Sequence, residues 1–134
     1  MVLVDQDTPT FNVLCVEDDY LLRELLEIGL PMKCNSLEVT TVKHGLEAIE
    51  YLSTNEVDLI VTDFNMPFCN GAQLAKHVED SGTSTPVVVF SGEDHSKLRQ
   101  EVPSAEAYVS KRATASSLSD LASAVISTLQ NRLP

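Results

Sequence analysis

Residues 58–71 read DLIVTDFNMPFCNG, and this stretch decides the fold. Leu59, Ile60, Val61 and Thr62 form a short run without polar alternation, the mark of a strand buried on both faces. Asp63 follows the strand directly. From Gly71 the period changes: Leu74, Ala75 and Val78 share one face of a helix over 71–78. Strand, acidic loop and helix in this order are half of a βαβ unit.

The same alternation extends outward in both directions. Phe11–Val16 (FNVLCV) reads as the first strand, followed by a helix over 21–30 with Leu22, Leu25, Leu26 and Leu30 along one side. Pro31 is expected to stop that helix. Leu37–Val42 is a second strand and 45–52 a second helix. Beyond residue 71, Pro86 precedes the most apolar strand, 87–90. A short helix over 94–101 follows, with Leu98 and Val102 as its only apolar contacts and Pro103 breaking it, so that it should be mobile. Ala107–Ser110 is the fifth strand. The last helix, 114–131, carries Leu118, Leu121, Ala122, Val125, Ile126 and Leu129 as one amphipathic stripe. Five strands alternating with five helices predict an α/β, doubly wound, five-stranded parallel sheet in the order 2-1-3-4-5.

The chain has 134 residues, about one domain. Nine Lys and Arg stand against 20 Asp and Glu, a net charge of −11. That balance excludes direct nucleic-acid binding and adhesion to anionic membranes, while suiting a bound cation. Runs as short as residues 87–90 cannot cross a bilayer. The start of the chain lacks the basic and apolar regions of a secretory signal. Cys15, Cys34 and Cys69 match neither a zinc site nor a redox pair, and read as reduced thiols of a cytoplasmic protein. His44, His77 and His95 have no metal-ligand spacing. Residues 1–10 are read as a tail. Met1 to Asp7 imitates a strand followed by acids, but Pro9 and Thr10 stand where a helix should begin.

In such sheets ligands bind beyond the carboxyl ends of the strands, where the strand order reverses. Glu17, Asp18 and Asp19 follow the first strand, and Asp63 follows the third, its neighbour. Carboxylates held together repel one another, and a divalent cation relieves the repulsion. With oxygen ligands only, that cation is Mg²⁺ (or Mn²⁺). Ser91 ends the fourth strand, and Lys111 follows the fifth. Each residue alone has a plain explanation as a turn, a helix cap or a solvated charge. Together at one rim they offer a nucleophile, a metal site and two groups for phosphate oxygens.

The segments VLCVEDDYLLREL, DLIVTDFNMPFCNG, VVVFSG and AYVSK resemble the receiver domain of two-component response regulators, of flavodoxin-like fold, over residues 11–133. The resemblance implies that Asp63 accepts a phosphoryl group from a histidine kinase or phosphotransfer protein. It implies that Glu17 and Asp18 hold the metal with Asp63 and the backbone carbonyl of Asn65. Asp19, one place further on, is a helix-start residue. Ser91 corresponds to the switch hydroxyl, Tyr108 to the aromatic that moves with it, and Lys111 to the lysine that pairs with the acyl phosphate. Asn65 and Glu93 correspond to positions that tune attack by water, and their polarity implies comparatively fast self-dephosphorylation. The implied protein is a switch rather than a metabolic enzyme, with self-phosphorylation and self-dephosphorylation its only reactions. Its output would pass through the face of the fourth helix, fifth strand and fifth helix to an effector protein, a face that also allows a homodimer. These residues leave no room for an output domain.

The sequence departs from the family in one loop. Arg112 follows Lys111 where the family usually has proline, often after a cis bond. A cis bond before a non-proline costs ~3 kcal/mol, so this loop is expected to be trans or strained. Cys69 beside the site reads as a packing residue before a redox one. Three other functions fit parts of this pattern. A small Mg²⁺-dependent phosphohydrolase wants a second Asp where Asn65 stands. A flavin-binding protein would find its phosphate repelled by Glu17, Asp18 and Asp19. A phosphorylation-independent pseudo-receiver, an interaction module only, has no need of the full residue set.

Overall fold

A computed structural model of the chain describes residues 10–112 and 115–132. The expected tail, Thr10 excepted, lies outside these residues. So do the expected helix start at Thr114 and the end of the receiver region at Leu133.

The strands are β1 (Phe11–Val16), β2 (Leu37–Val42), β3 (Leu59–Thr62), β4 (Val87–Ser91) and β5 (Ala107–Ser110). The helices are α1 (Tyr20–Lys33), α2 (Gly45–Thr54), α3 (Gly71–Asp80), α4 (His95–Glu101) and α5 (Ala115–Gln130). The strands form one sheet in the order β2-β1-β3-β4-β5, every pairing parallel. Val16 pairs with Thr62, and Ser91 with Ser110. The register therefore brings Glu17 and Asp63, the residues that follow β1 and β3, out of the sheet side by side.

Successive strand residues serve opposite faces, and both faces are covered. Val13, Cys15, Val61, Val88 and Phe90 pack with Leu26 and Leu30 of α1 and Leu121 and Val125 of α5. Leu14, Val16, Ile60, Val87 and Val89 pack with Ala48 of α2, Leu74 of α3 and Leu98 of α4. This explains why the central strands read as continuous apolar runs. Each fully buried Leu or Val contributes about 1.5–3 kcal/mol.

The structure corrects the reading of α1. Pro31 lies inside the helix, which ends with Cys34 as its C-cap, the Cys34 N–H reaching Leu30 O. Proline lacks an N–H and forgoes one helical bond, but its φ suits the helix. Leu26 and Leu30, both fully buried, anchor the turn that leads into it. Leu25 is also not on the core face: it is 50% exposed, in line with exposed Leu21, Ile28 and Met32. Gly29 takes the inner position instead, because a Cβ there would stand 2.6 Å from Leu118 Cδ2 of α5.

Candidate functional site

The site is built from loops at the carboxyl end of the sheet. After β1 the chain must turn into α1, and Asp19 caps that helix by accepting the Leu22 N–H at 3.1 Å. The turn leaves Glu17 pointing inward and almost wholly buried. Arg23 braces the turn from the first part of α1, its Nη1 donating to Glu17 O at 2.9 Å and Asp18 O at 3.0 Å. After β3, Asp63 is buried, and its Oδ1 accepts the Phe64 N–H at 2.7 Å. Thr62 Oγ1 donates to Asp63 O at 2.8 Å. Gly71, the first residue of α3, lies so close that a Cβ would stand 2.7 Å from Asp63 O. Only glycine lets the helix begin against the backbone of this residue.

One carboxylate oxygen from each of Glu17, Asp18 and Asp63 lies within 4.8 Å of the others, with Asp18 the exposed member. Lys111 reaches this group from the end of β5. Its Nζ is 2.6 Å from Glu17 Oε1 and 2.7 Å from Asp63 Oδ2. Burial pushes the Glu17 carboxyl above its ordinary value, and the Asp63 charge adds to this; Lys111 and the Asp19 N–H offset it only in part. Burial works against the charge on Lys111, but the hydrogen bonds and charges of Asp63 and Glu17 outweigh it and leave its pKa raised. Three converging carboxylates, two of them bridged by Lys111, fit a hard divalent ion with oxygen ligands.

Of the other expected residues, Ser91, Asn65 and Glu93 stand at the same rim, and Tyr108 lies further back along β5. Ser91 is buried at the end of β4, its Oγ accepting the Glu93 N–H at 3.2 Å. Asn65 and Glu93 meet: Asn65 Nδ2 donates to Glu93 Oε1 at 2.8 Å, joining the loops after β3 and β4. Lys97 lies 3.6 Å from the other Glu93 oxygen. Tyr108 is turned toward α4. Its hydroxyl donates to Val102 O, the C-cap of that helix, at 2.6 Å, and Arg99 lies over its ring.

The bond between Lys111 and Arg112 is trans, as no cis peptide bond occurs among the described residues. The Arg112 N–H donates to Ser117 Oγ at 2.9 Å, a bond that proline cannot make. It fastens the loop to α5 on the far side of Lys111. Cys69 packs against Gly45, where a Cβ would stand 2.6 Å from its Sγ, and burial raises its thiol pKa. Three features escaped the sequence reading: the brace at Arg23, the joining of Asn65 to Glu93, and Phe68, whose φ is +70°. Arg23 had a legible signal, a cation one turn after an acidic cluster. The other two depend on how separate loops meet.

Comparison with known proteins agrees with this fold. The model of the response regulator receiver domain family matches residues 13–123. The two-component response regulator ARR15 of Arabidopsis thaliana is 33% identical over 105 residues, which span 69% of this chain and 50% of that protein. The Regulator of RpoS of Escherichia coli K12 is 36% identical over 86 residues, 63% of this chain and 24% of that protein. Against the plant regulators ARR15 and ARR7 the chain spans about half their length. Among solved structures, the receiver domain of the Francisella response regulator 1452 superposes with a TM-score of 0.82 at 22% identity, covering 92% of this chain and 100% of that one. TrrA of Thermotoga maritima, solved in complex with Mg²⁺-BeF, gives 0.76 at 22% identity, covering 90% and 99%. These two likenesses bear on the fold. A doubly wound sheet in this strand order is the fold these receiver domains share. The chain belongs to the response regulator receiver domain family of two-component signalling.

Proposed function

We propose that this receiver is a phosphorylation switch. Asp63 accepts a phosphoryl group from a phosphohistidine on a histidine kinase or phosphotransfer protein. The observation that carries this reading is the placement of Lys111 Nζ at 2.7 Å from Asp63 Oδ2 and 2.6 Å from Glu17 Oε1, with Asp18 beside them. A carboxylate oxygen of Asp63 attacks phosphorus, a P–O bond forms, and the P–N bond of the donor breaks. The leaving imidazole keeps the electron pair and takes up a proton. Phe64 N–H fixes one oxygen of the nucleophile. Lys111 meets the charge that grows on the phosphoryl oxygens. Glu17, Asp18, Asp63 and the Asn65 carbonyl would hold Mg²⁺ or Mn²⁺, which supplies further neutralisation of that charge when bound.

Phosphorylation adds about one negative charge and new acceptor oxygens at Asp63. Ser91, buried at the same rim, donates to them when it turns inward. Tyr108 then leaves Val102 O, and the packing of α4, β5 and α5 changes. An effector protein, or a second copy of the chain, reads that face. Asn65 and Glu93 tune attack by water. Self-phosphorylation and self-dephosphorylation are the only reactions of such a switch, which is no metabolic enzyme. Free Cys15, Cys34 and Cys69 and a phosphohistidine donor both suit the cytoplasm. Radiolabelled acetyl phosphate with Mg²⁺ tests the chemistry. The wild type is expected to gain a label that hydroxylamine removes, as from an acyl phosphate, and Asp63→Asn to gain none; a hydroxylamine-resistant label overturns the reading.

A further inference from the structure

Phe68 stands five residues after Asp63 and combines three unusual properties. Its φ of +70° makes it the only non-glycine residue with positive φ among those described. A left-handed backbone is costly for a bulky side chain and natural for glycine. The residue is also 79% exposed, so burial does not offset that cost. Yet the ring is held in place. It meets the His44 ring edge-on, with centroids 5.6 Å apart. His44 is fixed in turn as the N-cap of α2, its Nδ1 accepting the Glu47 N–H at 3.4 Å. Beneath them, the close approach of Gly45 to Cys69 locks the loop after β2 against the loop after β3.

The result is a supported apolar projection beside the carboxylate pocket. Leu46, in the first turn of α2 and next to Gly45 in the chain, is also exposed, at 51%. On the opposite face of the sheet, exposed Tyr20 and Leu21 flank the same pocket at the start of α1. The acidic centre therefore has apolar side chains on two sides of its mouth. A small acyl phosphate has no use for them, being anionic and compact. A protein donor does, because it must seat its own surface on this mouth to bring a phosphohistidine to Asp63. Exposed aromatic anchors at such a seat are typical binding hot spots.

We infer that Phe68 is a specificity-determining contact for the protein phosphodonor, packing against apolar side chains that flank the donor's phosphohistidine. This rests on the reading of Asp63 as phosphoacceptor and adds to it which part of the rim selects the donor. Strain at Phe68 separates this role from a structural one: Phe68→Gly relieves the backbone while removing the ring.

The test compares wild type, Phe68→Gly and Phe68→Ala with two kinds of donor. One is acetyl phosphate with Mg²⁺. The other is a panel of histidine-phosphorylated phosphotransfer domains. With the domain that charges wild type fastest, kcat/KM is expected to fall about tenfold in both variants, mainly through KM. Labelling by acetyl phosphate stays within about twofold, and the melting temperature of Phe68→Gly equals or exceeds that of wild type. The inference is overturned if both variants accept from the domain as wild type does, or if both kinds of donor lose equally. It is also overturned if acetyl phosphate labels wild type while no domain in the panel does. If wild type takes phosphoryl from neither kind of donor, the reading of Asp63 itself fails, and this inference with it.

Discussion

Lys111 Nζ lies 2.7 Å from Asp63 Oδ2, although the two residues leave the sheet two strands apart. The lysine is 23% exposed and also pairs with Glu17, so it holds two buried carboxylates together. Lys111→Ala leaves them facing each other. In chelator, the variant is expected to lose about 1–3 kcal/mol, as for hydrogen bonds to charged groups. Added Mg²⁺ should raise its melting temperature more than that of wild type. Equal responses to Mg²⁺ in thermal melts would show that the lysine and a cation do not share this centre.

Glu17 gives the centre a pH signature. Its carboxyl is raised in the folded state, chiefly by burial. Between the unfolded value of ~4.3 and the raised folded value, the folded chain binds more protons than the unfolded one. Stability from this group is therefore greatest at low pH and falls as pH rises through that window. Glu17→Gln removes the effect. Urea titrations in chelator should show the variant gaining on wild type from about pH 4 upward, then keeping a constant lead. Curves that stay parallel throughout would contradict it.

The pairing of Asn65 with Glu93 is expected to set the lifetime of the phosphoryl group. Joined at 2.8 Å, with Lys97 behind Glu93, the two polar groups are set across the loops that flank Asp63. Phosphoryl decay with Mg²⁺ should be comparatively fast. Glu93→Ala frees Asn65 and is expected to slow decay about tenfold, a change of ~1.4 kcal/mol in the barrier. The decay is followed by phosphate release. A wild-type half-life of many hours would contradict the role of this pair.

Tyr108 ties β5 to the end of α4. The helix has seven residues, and Leu98 and Val102 supply its buried apolar contacts. Removing the hydroxyl in Tyr108→Phe deletes the 2.6 Å bond to Val102 O and is expected to cost about 0.5–1.5 kcal/mol. Hydrogen exchange should accelerate across residues 98–102 while β1 and β3 stay protected. Uniform acceleration, or none, would show that the bond does not hold this helix locally.

Much of this was legible in the sequence, for specific physical reasons. Buried parallel strands are short apolar runs, so Phe11–Val16 and Leu59–Thr62 lie where their composition places them. The acids and the lysine could be placed because parallel topology brings strand ends to one edge. Pro31 misled because proline is a breaker by local preference, and buried Leu26 and Leu30 override that preference. Leu25 misled because a helix with apolar residues on more than one side does not declare which side is inside. Phe68 was hidden, since its φ comes from the closing of a loop and not from its own side chain. The contact of Asn65 with Glu93 spans 28 positions and exists only once β3 and β4 are adjacent.

The central claim is that Asp63 is the phosphoacceptor. Intact-protein mass spectrometry after incubation with acetyl phosphate and Mg²⁺ tests it most directly. Wild type should gain the mass of one phosphoryl group, and Asp63→Asn should gain none. An unchanged wild-type mass, or equal gain in Asp63→Asn, would contradict the claim.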